Sequence, residues 1–216
     1  MTSSKTKKTT TRYVFGIDES GTGALAGPFM IAGVLLEYGQ VIEGVRDSKK
    51  LSDVARRTLV PVIEGASSFC PVTSVGVPEI REHTQGTAWV RGVVRVVEDL
   101  LVHLQEYELP YGFVDLLLDG SVNTRALEAV QALRPGMRMI FEKKADENHM
   151  AVGAASILAK TYRNDAMNII HREYPEYGFD KNAGYGTDQH FDALVDHGRT
   201  RHHRPLTDKW SLPERE

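Results

Sequence analysis

Apolar residues in this chain gather either in short, β-branched runs or in longer stretches of helical spacing, and the two kinds alternate. Tyr13-Val14-Phe15-Gly16-Ile17 reads as a buried strand that runs straight into the adjacent acids Asp18 and Glu19. A second apolar run covers 29–36, and the Glu37-Tyr38-Gly39-Gln40 stretch breaks it ahead of another short extended piece. Together these predict a strand pair at a sheet edge. Ser52 stands where an N-cap should, before a helical stretch at 53–64 that Pro61 would shorten or kink. Residues 67–77 read as extended. From Gly86 or Thr87 to Tyr107, apolar residues from Trp89 through Val93, Val97 and Leu100 to Leu104 recur at helical spacing. Valine lowers the propensity of that stretch, but its length favours helix.

Phe113-Val114-Asp115-Leu116-Leu117-Leu118 is almost continuously apolar, as a central strand buried on both faces requires, and it ends at Asp119-Gly120. A further strand is predicted at 137–141, then an alanine-rich helix over 148–174 that Pro175 stops. The alternation gives an α/β class. The stretch 177–187, with Gly178, Gly184 and Gly186, reads as a functional loop.

Composition narrows the chemistry. With 216 residues, 41% of them hydrophobic, the chain can build one main domain. Its single cysteine, Cys70, excludes an internal disulfide framework and any multi-cysteine zinc site, so a metal must sit on oxygen or histidine. No apolar run approaches the ~20 residues that span a bilayer, and the N-terminus lacks the apolar stretch of a secretory signal; a cytoplasmic protein is expected. The Ser/Thr/Lys-rich residues 1–12 read as a disordered tail. A net charge of −3 does not announce a nucleic-acid partner, although basic residues cluster at Lys143 and Lys144, at Lys160 and Arg163, and from Arg199 to Arg204.

Four acids stand out by position: Asp18 and Glu19 after the first strand, Asp119 after the central strand, and Asp146 just before the alanine-rich helix. Singly, each has an ordinary reading, Asp119-Gly120 as a turn pair and Asp146 as a helix cap. Gathered at one sheet edge, they would repel one another unless cations neutralised them, which makes such a cluster a hard-metal site suited to two magnesium ions and phosphodiester chemistry. The turn after Glu19, Gly21-Thr22-Gly23-Ala24-Leu25-Ala26-Gly27-Pro28, lets backbone N–H groups approach an anion closely.

Gly16-Ile17-Asp18-Glu19-Ser20-Gly21-Thr22-Gly23 with Leu25-Ala26-Gly27-Pro28 closely resembles the opening motif of the type 2 ribonucleases H. Further matches follow in order. They are Asp47-Ser48-Lys49-Lys50-Leu51, Asp119-Gly120, Ala154-Ala155-Ser156-Ile157-Leu158-Ala159-Lys160 ahead of Arg163 and Asp165, and Tyr177-Gly178-Phe179 leading to Gly184-Tyr185-Gly186-Thr187. The resemblance spans 13–205, and the Gly-Tyr-Gly-Thr form is similar to that of bacterial ribonuclease HII. It implies a ribonuclease H-like fold: a mixed five-stranded sheet flanked by helices, with a catalytic domain at 13–175 and a substrate-binding loop and helical extension at 176–216 packed on it. It also implies that Asp18, Glu19, Asp119 and Asp146 are the catalytic, metal-holding quartet, taking two Mg2+ or Mn2+ ions.

The implied substrates are RNA/DNA hybrids, cut in the RNA strand, and duplex DNA nicked 5′ to an embedded ribonucleotide, leaving 3′-hydroxyl and 5′-phosphate ends. Gly21, Thr22 and Gly23 match the element that reads the ribose 2′-hydroxyl, and Tyr185 the tyrosine that packs on the neighbouring deoxyribose. Lys49 resembles a phosphate-contacting lysine; Lys160 and Arg163, three apart on one helix, would bind phosphate or pair with acids. Thr22 departs from the family's usual arginine between the glycines, which removes a charged multi-donor contact. Ribonuclease HIII fits less well, since it carries an additional N-terminal binding domain and resembles a glutamate where Asp146 stands. A binding module that holds hybrids without cutting them would have to tolerate four acids facing phosphate. His202-His203 is a weak signal for a transition-metal site and reads instead as surface or substrate-facing polarity; His149 reads as a helix-start residue, and Trp89 and Trp210 as packing residues. A monomer is expected; a sliding clamp could engage the stretch 210–216, although no motif supports it.

Overall fold

A computed structural model describes residues 12–45 and 51–205. Its centre is one five-stranded sheet in the order β3-β2-β1-β4-β5, formed by β1 (Tyr13–Ser20), β2 (Phe29–Glu37), β3 (Val72–Val75), β4 (Val114–Asp119) and β5 (Arg138–Glu142). The first three strands pair antiparallel, with Ile17 opposite Gly33. β4 then runs parallel to β1, Ile17 opposite Leu118, and β5 parallel to β4. The sheet is therefore mixed, as expected, but β1 lies at its centre rather than at an edge. Local pattern cannot reveal that, because the partner on β1's other side arrives about a hundred residues later.

Helices cover both faces. α3 (Gln85–Glu106), capped by the Thr84 side chain, lies on one. Its Val93, Val96, Val97 and Leu100 pack with Phe15, Ile17, Ile31, Leu35, Leu116 and Leu118. The other face carries α1 (Asp53–Ala66) and α6 (Met150–Glu173), whose Ile63, Ala151, Ala155, Leu158 and Ala159 meet Ala32, Val34 and Leu36. The alanines of α6 have a steric cause: a Cβ added at Gly16 would sit 2.3 Å from the carbonyl carbon of Ala151, so helix and strand backbones touch. Small residues permit that approach and fix the height of β1's end against α6.

The remaining helices are α2 (Val77–Glu82), α4 (Thr124–Leu133), α5 (Ala145–Asn148), α7 (Phe179–Asn182) and α8 (Asp188–His197). α4 follows no predicted element. The helix read over 148–174 begins earlier and is interrupted: His149, in extended backbone, separates α5 from α6. Of the extended stretch at 67–77 only β3 is a strand, with Phe69 adding a single bridge to Leu35, and the described residues that follow Gln40, 41–45, form no strand. Pro61 lies inside α1 without ending it. A third cluster, in which Tyr177, Phe179 and Leu194 pack on Met167, Ile170 and Ala26, fastens the C-terminal region to α6 and to the turn after β1.

Candidate active site

Parallel pairing of β1 with β4 sets Asp18 and Asp119 at adjacent strand ends, since their preceding residues Ile17 and Leu118 are in register. Asp18 is 7% exposed and sits on the α6 side, where the Ser156 hydroxyl donates to it. Lys160, one turn further along α6, donates from Nζ to Ser156 Oγ at 2.7 Å and lends Asp18 positive charge. Glu19, the next residue, turns toward the α3 face and accepts from the Trp89 indole. Asp119 Oδ1 accepts the Ala145 N–H at 2.8 Å, which ties the end of β4 to the start of α5. That bond brings in Asp146, which is 4% exposed within α5 and repels Asp18.

Burial, followed by Asp18 and Asp119 as like-charged neighbours, raises Glu19 to about 7, against the opposing Trp89 hydrogen bond. Burial also raises Asp18 to about 6, with Asp146 adding to the shift and Ser156 and Lys160 opposing it. Asp18 thus feels Asp146, and Glu19 feels Asp18 and Asp119, across the ends of β1, β4 and α5. They do not form a closed cage: among the described residues no three acid, histidine or cysteine side chains crowd into a metal-holding group. An open, all-oxygen, electrostatically strained set fits magnesium or manganese, which keep several waters and take substrate phosphate oxygens as ligands.

The glycine turn stands directly beyond these acids. Gly21 has φ +95°, and a Cβ there would lie 1.7 Å from Arg163 Nε, so any side chain would both strain the backbone and displace the arginine. Gly23 is exposed and faces the Tyr185 ring at 3.9 Å from its virtual Cβ. The N–H groups of Leu25 and Ala26 both donate to the Gly184 carbonyl, at 2.8 and 3.2 Å. Turn and Tyr185 loop therefore form one unit, and Tyr185 is 41% exposed beside it.

Arg163 does not reach for phosphate or for an acid. It is 1% exposed and donates to the Pro28 carbonyl at 3.1 Å and the Ala183 carbonyl at 2.6 Å, clamping turn to loop, with its guanidinium 5.1 Å from the Tyr185 ring centre. Lys160 stays at the acidic centre. Lys49, with most of its motif, lies outside the described residues, as do Trp210 and the stretch 210–216. Sequence reasoning passed over Ser156 as a partner of Asp18, although it stands within a quoted motif. Trp89, which by sequence is a packing residue, packs and also holds Glu19 through its indole. Arg204, by sequence only a member of a basic cluster, is 3% exposed and donates to the carbonyls of Thr22 and Gly27, both at 2.9 Å. His203, expected at the surface or facing substrate, is fully buried. Packing against Tyr177 and Phe179 encloses it, which no local pattern signals.

A family model described as Ribonuclease HII matches residues 15–209. Among curated proteins, ribonuclease HII of Chlamydia trachomatis is 36% identical over 192 residues, covering 88% of this chain and 80% of its own. Ribonuclease HII of a Geobacillus species is 34% identical, covering 89% of this chain and 62% of its own. The crystal structure of ribonuclease H2 from Pyrococcus horikoshii superposes with a TM-score of 0.67 at 26% identity, over 85% of each chain. Two further structures share the fold. RNase HII of Archaeoglobus fulgidus, in complex with PCNA, has a TM-score of 0.68 at 24% identity over 94% of this chain and 97% of its own. Bst-RNase HIII, in complex with Mn2+, has 0.62 at 23% over 76% and 56%. Since the matched region takes in the sheet, the acidic strand ends and both loops, the chain belongs to the ribonuclease HII family.

Proposed function

We propose that this protein is a divalent-metal-dependent endoribonuclease that hydrolyses the RNA strand of RNA/DNA hybrids and nicks duplex DNA 5′ to an embedded ribonucleotide. The observation that carries the reading is the convergence of Asp119 and Asp146 on the buried Asp18 and Glu19, beside a glycine turn that shares hydrogen bonds with the Tyr185 loop. Asp18, Glu19, Asp119 and Asp146 would hold the cations, Mg2+ or Mn2+, the latter being bound by the HIII relative. Two such ions, when bound, supply a water nucleophile and the charge that the departing 3′ oxygen needs. Ser156 and Lys160 keep the Asp18 carboxyl aimed, and Trp89 does so for Glu19. Backbone groups at Gly21, Thr22 and Gly23 would test for a 2′-hydroxyl, which both donates and accepts. Tyr185 would pack on the adjoining deoxyribose, so that turn and ring together read an RNA-to-DNA junction. Lys49 would contact phosphate. A sliding clamp such as the PCNA bound by the Archaeoglobus relative is a candidate partner.

Magnesium-dependent cleavage of an end-labelled hybrid, with Asp119→Asn beside the wild type, tests the assignment. The variant should fold normally and lose about a hundred- to a thousandfold in turnover, the scale on which transition-state charge stabilisation is lost. Near-normal turnover would contradict the role given to Asp119.

A further inference from the structure

His190 and His203 face each other in the interior, both 0% exposed, with their Nε2 atoms 3.0 Å apart. The bonds around them decide which nitrogen carries hydrogen. The Thr200 N–H donates to His203 Nδ1 at 2.8 Å, so that nitrogen is an acceptor and the His203 hydrogen is on Nε2. That Nε2–H donates to His190 Nε2, which leaves the His190 hydrogen on Nδ1, and Nδ1–H donates to the Tyr185 carbonyl at 2.9 Å. Each hydrogen has one place, and a positive charge on either ring would set two N–H groups head to head. Tyr177 and Phe179 enclose the pair with aromatic edges and faces.

The far end of this relay is fixed to the glycine turn. His203 bridges Ala26 in antiparallel fashion, His202 accepts from Gly27 N–H at 2.8 Å, and Arg204 N–H donates to Leu25 at 2.8 Å. Arg81 donates to the His203 carbonyl at 3.1 Å. One end of the chain of bonds thus holds the turn after the catalytic strand, and the other the backbone of Tyr185, whose carbonyl also accepts from Thr187 N–H at 2.9 Å.

We propose that His190 and His203 are positioning residues for substrate selection, a neutral imidazole relay that sets Tyr185 at a fixed height above the Gly21–Gly23 backbone. The inference rests on Tyr185 reading the deoxyribose side of a junction. His190→Asn and His190→Leu separate the relay from mere filling of space, because an asparagine Nδ2 can replace the Nδ1 donor and leucine cannot.

Cleavage of a duplex with a single ribonucleotide is compared with cleavage of a continuous hybrid for the wild type, both variants and Tyr185→Ala. His190→Asn should keep the wild-type ratio of kcat/KM values within about threefold. His190→Leu should reduce it about tenfold, the equivalent of ~1.4 kcal/mol, mainly through KM for the single-ribonucleotide duplex. Equal behaviour of the two variants overturns the inference. If Tyr185→Ala leaves the ratio unchanged, the junction reading has failed and the inference falls with it; if Tyr185→Ala shifts the ratio and His190→Leu does not, the inference alone has failed. Should His190→Leu not fold, ring 15N shifts of the intact wild-type protein at about pH 7 decide, within the range where neutral imidazole prevails. They should give Nδ1–H for His190 and Nε2–H for His203, and any other pair of tautomers, or an imidazolium, overturns it.

Discussion

Burial and like-charged neighbours make the Asp18 and Glu19 carboxyls poor anions, at about 6 and about 7 respectively. The folded chain therefore binds their protons more tightly than the unfolded chain does. In the metal-free protein the stability that these two groups contribute is accordingly full below the ordinary carboxylate range, falls as pH rises, and is lost once pH passes about 7. Asp18→Asn removes part of that strain. Near pH 8 and without metal it should raise Tm by about 4–8 °C, from a stabilisation on the order of 2 kcal/mol, and toward pH 4 the gain should shrink. Cleavage should be lost all the same. Calorimetry at the two pH values checks the sign, and an unchanged or lower Tm near pH 8 would remove the electrostatic account.

Thr22 poses a separate residue-scale question, because its carbonyl is already taken by Arg204 while its side chain is only half buried. Thr22→Arg should lower KM for both hybrid and single-ribonucleotide duplex several-fold and steepen the salt dependence by about one phosphate contact. Rates and cleavage positions unchanged by the substitution would show that the turn works through its backbone alone.

At the scale of elements, the contact between β1 and α6 governs where Asp18 stands. Gly16→Ala would push a methyl into the Ala151 carbonyl carbon, 2.3 Å away, on a helix that also carries Ser156 and Lys160. Chemical denaturation should register a loss of at least about 2 kcal/mol, the upper part of the range for overpacking, and cleavage should fall with it. β4 was legible because its residues from Val114 to Leu118 are all buried and, Asp115 apart, apolar. α4 was not, since only Ala126 and Val130 of its ten residues are buried and so narrow a stripe leaves a weak period. The strand ends announced Asp18, Glu19 and Asp119. Arg163 and His203 misled for one shared reason: polar side chains spaced like surface residues can be enclosed by elements remote in sequence, and only packing reveals it.

For the whole molecule, one core takes side chains both from the expected domain at 13–175 and from the described part of the extension at 176–216 that was expected to pack on it. Met167 and Ile170 from α6, Ala26 from the turn, and Tyr177, Phe179 and Leu194 form one cluster. The Ala26–His203 bridge joins the same parts through backbone. Far-UV and near-UV circular dichroism should therefore melt together in a single cooperative transition, and two separated transitions would favour an independently folding extension.

The order of strands carries a consequence for synthesis. β1 and β2 leave the ribosome together and can pair at once, but β4 takes its place beside β1 only after residue 119 has emerged, and α5 later still. Asp18 and Glu19 wait through that interval without Asp119 and Asp146. A nascent chain that ends before residue 119 thus carries half of the acidic cluster, and the cluster is completed only when β4 and α5 dock beside β1.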